Sequence, residues 1–249
     1  MDIRWLTPQW PAPAVVCALS TMRGGGVSAA PYASFNLGDH VGDVPAAVAE
    51  NRRRLQVAAH LPAEPQWLAQ VHGIRVADLD VGGSAAAADG ARTRQPGRVG
   101  AILTADCLPI LFAAESGEAV AAAHAGWRGL AGGVIEATVR ALAVEPRTLL
   151  VWLGPAIGPR HFEIGPEVRE ELLRGDGGAA TAFTLNARGR FMADLGTLAR
   201  RRLARLGIER IYGGGECTYS QPDKYFSHRR DGQTGRQATL IWLKGAATR

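Results

Sequence analysis

Three short stretches place reactive side chains where a strand-like run ends: QVHG at 70–73, TADC at 104–107 and AAAHAGWRG at 121–129. A rigid scaffold can present such side chains to a cleft. His72, Cys107 and His124 form a coherent donor set. Two imidazoles and one thiolate make a tetrahedral zinc site with the fourth position open, as catalytic zinc requires. Zinc there would deprotonate the thiol and draw the pKa of a bound water toward about 7. Asp106 can orient a ligand imidazole from behind. Each residue also has an ordinary reading. A Cys in an apolar strand packs as a small hydrophobe, and Asp106 can cap a turn before Leu108-Pro109. The separations, 35 and then 17 residues, match no local metal motif. A metal-free alternative is a Cys107 thiolate activated by His124 for attack on an amide or ester.

Two glycine-containing turns suit an anion. After His124 the chain turns through Gly126-Trp127-Arg128-Gly129 into a helix, where free N–H groups and an Arg favour phosphate. The Lys-Ser/Thr ending of a Walker loop is absent. Arg23-Gly-Gly-Gly-Val-Ser28 offers a second cradle. It opens a long loop, RGGGVSAAPYASFNLGDHVGD, that also carries Asn36 and His40. Ser227, His228, Arg229, Arg230 and Thr234 precede the last strand and can line a cleft. Candidates for binding substrate or phosphate are Arg23, Asn36, Arg128 and Arg229. Cys17 and Cys217 read as core thiols.

The elements that must position these residues follow from periodicity. VVCALST (15–21) reads as a strand. Asp43 can cap a helix that has Pro45 in its first turn and continues to about Ala59. WLAQV and IRVADLD read as strands on either side of His72-Gly73, and GGSAAAADGARTRQPGR (82–98) as a surface loop. VGAILTAD, LPILFAA and AVAAAHA are apolar on both faces, as central covered strands are. LAGGVIEATVRALAV reads as one amphipathic helix. Then come a strand, LLVWLGP, and two helices, Pro166 to Leu173 and Leu195 to Leu206, the second capped by Asp194. IERIYGG and ATLIWL close the chain. Strands and helices mix without strict βαβ alternation, which favours a mixed α/β or α+β sandwich over a doubly wound parallel sheet. No repeat or linker divides residues 1–249, so one domain is expected.

Composition narrows the function classes. The 249 residues are 47% hydrophobic and 20% charged, enough for a sizeable core. No run of 18 apolar residues predicts a membrane span, and the N-terminus lacks the pattern of a signal peptide. Three cysteines form no disulfide framework, so a reduced, cytoplasmic setting is expected. The net charge is +5, but the Arg runs (52–54, 200–202, 229–230) are short. Aromatic content is 6%, with no aromatic–basic alternation, so no nucleic-acid partner is expected.

Taken together, RGGGVSAAPYASFNLGDHVGD, WLAQVHG, TADCLPILF, AHAGWRGLAGGVIEATV, WLGPAIGP, HFEIG and CTYSQPDKYFSHRRDGQTGRQATLIWL resemble the YfiH family, long described as laccase-like polyphenol oxidases. The likeness runs from about Thr21 to Leu243; one departure is Arg160, where many members carry Cys. The resemblance implies an α-β-β-α layered sandwich with two mixed central sheets. It implies zinc held by His72, Cys107 and His124; the residues expected to carry catalysis are Cys107, His124 and Asp106. The implied activities are phosphorolysis of adenosine, inosine, guanosine and methylthioadenosine, and deamination of adenosine; for deamination Asp106 is the expected proton shuttle. A role in peptidoglycan precursor editing is also implied. Purine nucleosides and phosphate are the expected partners of a monomer or homodimer. Copper could replace zinc in a His2Cys site, and a weak copper-dependent polyphenol oxidase is then the alternative activity. A self-contained multicopper oxidase is not expected: its centres take about ten His, blue copper alone two His and a Cys, and the chain has six His in all.

Overall fold

A computed structural model of the protein describes residues 2–81 and 87–245. The first half contains β1 (Trp5–Leu6), β2 (Val16–Thr21), α1 (Pro45–Ala58), β3 (Gln66–Trp67), β4 (Val76–Asp78), β5 (Gly90–Thr93), β6 (Val99–Thr104), β7 (Leu108–Ala114) and β8 (Val120–Ala125). Then follow α2 (Trp127–Gly132), α3 (Val134–Leu142), β9 (Leu149–Leu153), β10 (Glu163–Ile164), α4 (Pro166–Leu173), β11 (Phe183–Leu185), β12 (Phe191–Ala193), α5 (Leu195–Arg205), β13 (Ile211–Gly213), α6 (His228–Asp231) and β14 (Gln237–Leu243). A five-stranded mixed sheet has the order β1-β2-β14-β6-β3, and a six-stranded one β13-β9-β7-β8-β5-β4. A three-stranded sheet, β10-β12-β11, is separate.

The apolar runs seen in the sequence are strands buried on both faces. Along β7, Leu108, Ile110 and Phe112 join the cluster containing Leu130, Val134, Ile135 and Leu198 of the helices. Leu111 and Ala113 point the other way, onto Ile102 and Ile241 of the five-stranded sheet. The outer face of that sheet, with Leu19, Leu103 and Leu240, packs on Leu55 of α1 and on Phe35 and Leu37 of the long loop. Period-two alternation thus feeds two apolar layers at once, and the layers run α-β-β-α as expected.

Local departures have local causes. Asp43 does not cap α1: the cap position is Val44, without a side-chain cap, and one Asp43 oxygen accepts from the Asn36 amide at 2.8 Å. The helix expected over 130–144 breaks at Gly133, whose φ of 97° splits α2 from α3. Part of the expected surface loop 82–98 is β5. Small residues let it lie flat, since a Cβ on Gly90 would meet Val76 and Thr138 at 3.1 and 3.2 Å. Residues 82–86 of that loop fall outside the described residues. Asp194 caps α5 as expected, accepting from Thr197 N–H at 3.0 Å. Among the described residues no helix is long and apolar enough to cross a membrane.

One buried amide fastens the long loop to α1. The Asn51 side chain accepts from Val27 N–H and donates to Ser28 Oγ and the Asn36 carbonyl, each at 2.9 Å. Asn51→Ala leaves buried backbone groups without partners and is expected to cost about 2–3 kcal/mol. The check is urea unfolding, with the exposed Arg53→Ala expected within about 0.5 kcal/mol of wild type.

Candidate metal centre and its cavity

The chain changes sheets between β6 and β7. Ala105, Asp106 and Cys107 make the crossing, and Asp106 takes a φ of 93° to do so. Three hydrogen bonds hold this left-handed turn. The Asp106 carboxylate accepts from the Thr218 hydroxyl and the Arg229 N–H, both at 2.6 Å. Its carbonyl accepts from Ile157 N–H at 2.9 Å. Cys107 is thereby set at the start of β7. Gly126, which precedes α2, leaves room for the thiol: a Cβ there would stand 2.9 Å from Cys107 Sγ and 3.0 Å from His72 Nδ1.

His124 lies on β8 opposite Pro109 of β7 and is 3% exposed. Its Nδ1 faces Asp89 Oδ1 at 2.8 Å. Asp89, fully buried, also accepts from the N–H groups of Val71, His72 and Gly73 at 3.2, 2.9 and 2.7 Å. One carboxylate therefore fixes the His124 ring and the turn that presents His72, whose φ is 60°. The imidazole rings of His72 and His124 stand 4.7 Å apart. One donor atom from each of His72, Cys107 and His124 lies within 4.8 Å of the others.

The electrostatics follow from this packing. Burial acts to lower the His124 pKa, but Cys107 and Asp89 outweigh it and raise it to about 9. Burial, then His124, lowers His72 below the usual histidine value. Burial opposes the charge on Asp89, yet the His124 ring and the Gly73 N–H hold its carboxyl below the usual range. The cluster borders a cavity of about 280 Å³, whose walls include His40, Gln70, Thr104, His228 and Arg236. Gln70 is locked to Leu103, donating to its carbonyl at 2.8 Å and accepting from its N–H at 2.7 Å.

The structure thus brings together His72, Cys107 and His124. The carboxylate behind a ligand imidazole is Asp89 rather than Asp106, whose oxygens face Thr218 and Arg229. His228, expected to line a cleft, does line the cavity, as does His40, whereas the four candidates for binding substrate or phosphate do not. Arg23 donates to the carbonyls of Ala33 and Pro222 and stands 3.8 Å from Asp231. Asn36 is buried and bonds Gly38, Asp43 and the Arg236 N–H. Arg128 stacks on Trp127. Arg229 donates to the Glu163 carbonyl and lies over Phe162. Cys217 is half-buried and accepts from Gly158 N–H at 3.2 Å, so it is not a plain core thiol. Sequence reasoning missed Asp89 and Arg236. The signal for Arg236 was its place directly before a wholly apolar strand, and for Asp89 an acid among small residues.

Two nitrogens and a sulfur at these separations can hold a metal; Cys107, His124 and Asp89 in line can also relay a proton from a thiol. The family model described as multi-copper polyphenol oxidoreductase laccase matches residues 17–244. A purine nucleoside phosphorylase of Pseudomonas aeruginosa is 54% identical over 241 residues, 96% of this chain and 98% of that one. The purine nucleoside phosphorylase YfiH of Escherichia coli K12 is 52% identical over 239 residues, 96% and 98% of the two chains. A solved protein of Neisseria meningitidis, 48% identical, superposes with a TM-score of 0.93, covering 97% of this chain and 99% of that one. YlmD from Geobacillus stearothermophilus, 32% identical, gives 0.88 over 98% of both chains.

In metal-free protein the His124 imidazole is expected to titrate near pH 9, followed by NMR. The negative charge of Asp89 favours the imidazolium, so Asp89→Asn moves this titration to lower pH. An unchanged midpoint would remove Asp89 from the electrostatics of the centre.

Proposed function

The chain belongs to the YfiH family, and we propose that it is a zinc-dependent purine nucleoside phosphorylase that also deaminates adenosine. The observation that carries this reading is the meeting of His72, Cys107 and His124 at one wall of a cavity. It stands on a chain 54% identical to a protein named purine nucleoside phosphorylase.

The residues fit a metal. The donor set is that of a catalytic zinc site, and Gly126 keeps the space between Cys107 and His72 free. Asp89 on His124 Nδ1 leaves Nε2 as the ligand atom and fixes the ring, the usual support behind a metal-bound histidine. Copper satisfies the same donors, but six histidines suit one centre and not a multicopper set. When bound, zinc supplies Lewis-acid polarisation and lowers the pKa of water toward about 7.

The chain's own residues do the rest. In phosphorolysis a phosphate oxygen bonds to ribose C1′, the bond from C1′ to the purine nitrogen breaks, and the purine leaves with the electron pair and takes a proton. His228 is placed to move that proton at the cavity wall. Its Nδ1 donates to the Gly232 carbonyl at 2.7 Å, which leaves Nε2 free to exchange protons. Burial, then Arg236, lowers the pKa of His40, so it is neutral at pH 7. Asp106 has both carboxylate oxygens occupied; it holds Cys107 in place, and the proton shuttle of deamination falls to His228. Adenosine, inosine, guanosine and methylthioadenosine are the substrate class.

The in-line order of thiol, imidazole and carboxylate also favours a second reading, a metal-free Cys107 hydrolase of an amide or ester, such as a peptidoglycan precursor. That enzyme would keep its activity in chelator and form a covalent Cys107 adduct with its substrate, detected by mass spectrometry.

Zinc-loaded protein given adenosine is expected to yield adenine and ribose-1-phosphate with phosphate, and inosine without it. Cys107→Ala should lose both activities by about 10³-fold or more and lose bound metal by elemental analysis. No product from the zinc-loaded wild type would overturn the nucleoside reading. Zinc must displace the proton from His124, so its affinity is expected to rise with pH until about 9, measured by chelator competition.

A further inference from the structure

We propose that Arg236 and Thr104 form a seat for orthophosphate within the cavity beside the metal centre. The inference rests on the phosphorolytic reading above and names its second substrate's site. Gln237, the residue after Arg236, is the cross-strand partner of Thr104 between β14 and β6, so the two side chains' backbones are neighbours. Both residues line the cavity that His72, Cys107 and His124 border.

The guanidinium is held but not neutralised. Arg236 N–H donates to Asn36 Oδ1 at 2.8 Å, and its Nη1 donates to the carbonyls of Thr234 and Gly235 at 2.9 and 3.1 Å. Its stem lies against Gly38, where a Cβ would come within 2.8 Å of Cγ. Among the described residues it forms no ion pair, and Nε and Nη2 have no hydrogen-bond partner. Burial lowers its pKa, opposed by Cys107 and then Asp106; Cys107 belongs to the metal centre, and the Asp106 carboxylate already accepts from Thr218 and Arg229. A part-buried guanidinium without a counter-ion calls for an anion, and its fork matches two oxygens of a phosphate.

Thr104 supplies an independent observation. It is 2% exposed, and its hydroxyl has no hydrogen-bond partner. A buried unpartnered hydroxyl is rare and signals a missing acceptor. His40 and His228 stand on the same cavity walls and can donate to further oxygens.

The test is calorimetric titration of the metal-loaded protein with inorganic phosphate, in the absence of nucleoside. Arg236→Ala is expected to weaken phosphate binding at least about tenfold and Arg236→Lys by less, since lysine keeps the charge without the fork. Thr104→Val should weaken it about threefold while melting no lower than wild type, because the hydroxyl it removes bonds nothing in the protein. Arg53→Ala, which removes an exposed charge paired with Glu50, should change nothing. Wild-type affinity in both Arg236 variants, or no phosphate binding by the wild type, overturns the seat. Arg236-dependent binding of adenosine 5′-monophosphate tighter than that of phosphate overturns it in favour of a nucleotide site. Wild type that makes ribose-1-phosphate without Arg236-dependent phosphate binding keeps the function and loses the seat. Arg236-dependent binding without any nucleoside product keeps the seat and loses the function.

Discussion

The carboxylate of Asp89 is the constraint on which the centre depends. It is fully buried, a position that costs several kcal/mol for an unpaired charge. Here it accepts from three backbone N–H groups at 71–73 and faces one ring nitrogen of His124. Those partners belong to two chain segments, the turn at 71–73 and strand β8. The same charge that holds the His72 turn in its left-handed conformation also fixes which nitrogen of His124 faces the thiol. Neither imidazole can be repositioned without disturbing the other.

The third donor is placed by a different device. Cys107 sits where the chain leaves one sheet for the other, and Asp106 makes the corner. Because β6 and β7 are buried on both faces, neither strand can slide without moving an apolar layer. The crossing thus inherits the rigidity of two packed sheets, as precise binding geometry requires. Arg236 is placed by the same sheet, through the pairing of β14 with β6.

Much of this was legible in the sequence. Runs such as LTADCLPILF announce covered strands because both faces are apolar, and the polar pair inside them marks the corner. The three donors stood out by residue type at strand ends, although their meeting in space could not be read from separations of 35 and 17 residues. Asp89 was hidden by its surroundings: Ala-Ala-Ala-Asp-Gly-Ala reads as a loop, and only the close approach of β4 and α3 explains why β5 must be built of small residues. Asp106 was plausible as the supporting acid because it adjoins Cys107. Its positive φ aims the carboxylate away, toward Thr218. Arginines in glycine-rich turns drew attention as anion binders, but carbonyl oxygens and aromatic faces already engage them.

The order of strands has a consequence for how the protein is made. β14 follows every other element in the chain, yet it lies in the interior of its sheet, bonded to β2 on one side and β6 on the other. During synthesis β2 and β6 emerge early but stay unjoined until residues 237–243 leave the ribosome. A growing chain therefore carries the donors at 72, 107 and 124, on and beside the six-stranded sheet, before β14 arrives to join β2 to β6 in the other sheet. Such delayed pairing of distant segments is slow and leaves apolar edges exposed. A protein clipped ahead of residue 237 would leave β2 and β6 without the strand that joins them, and Thr104 without its cross-strand partner Gln237.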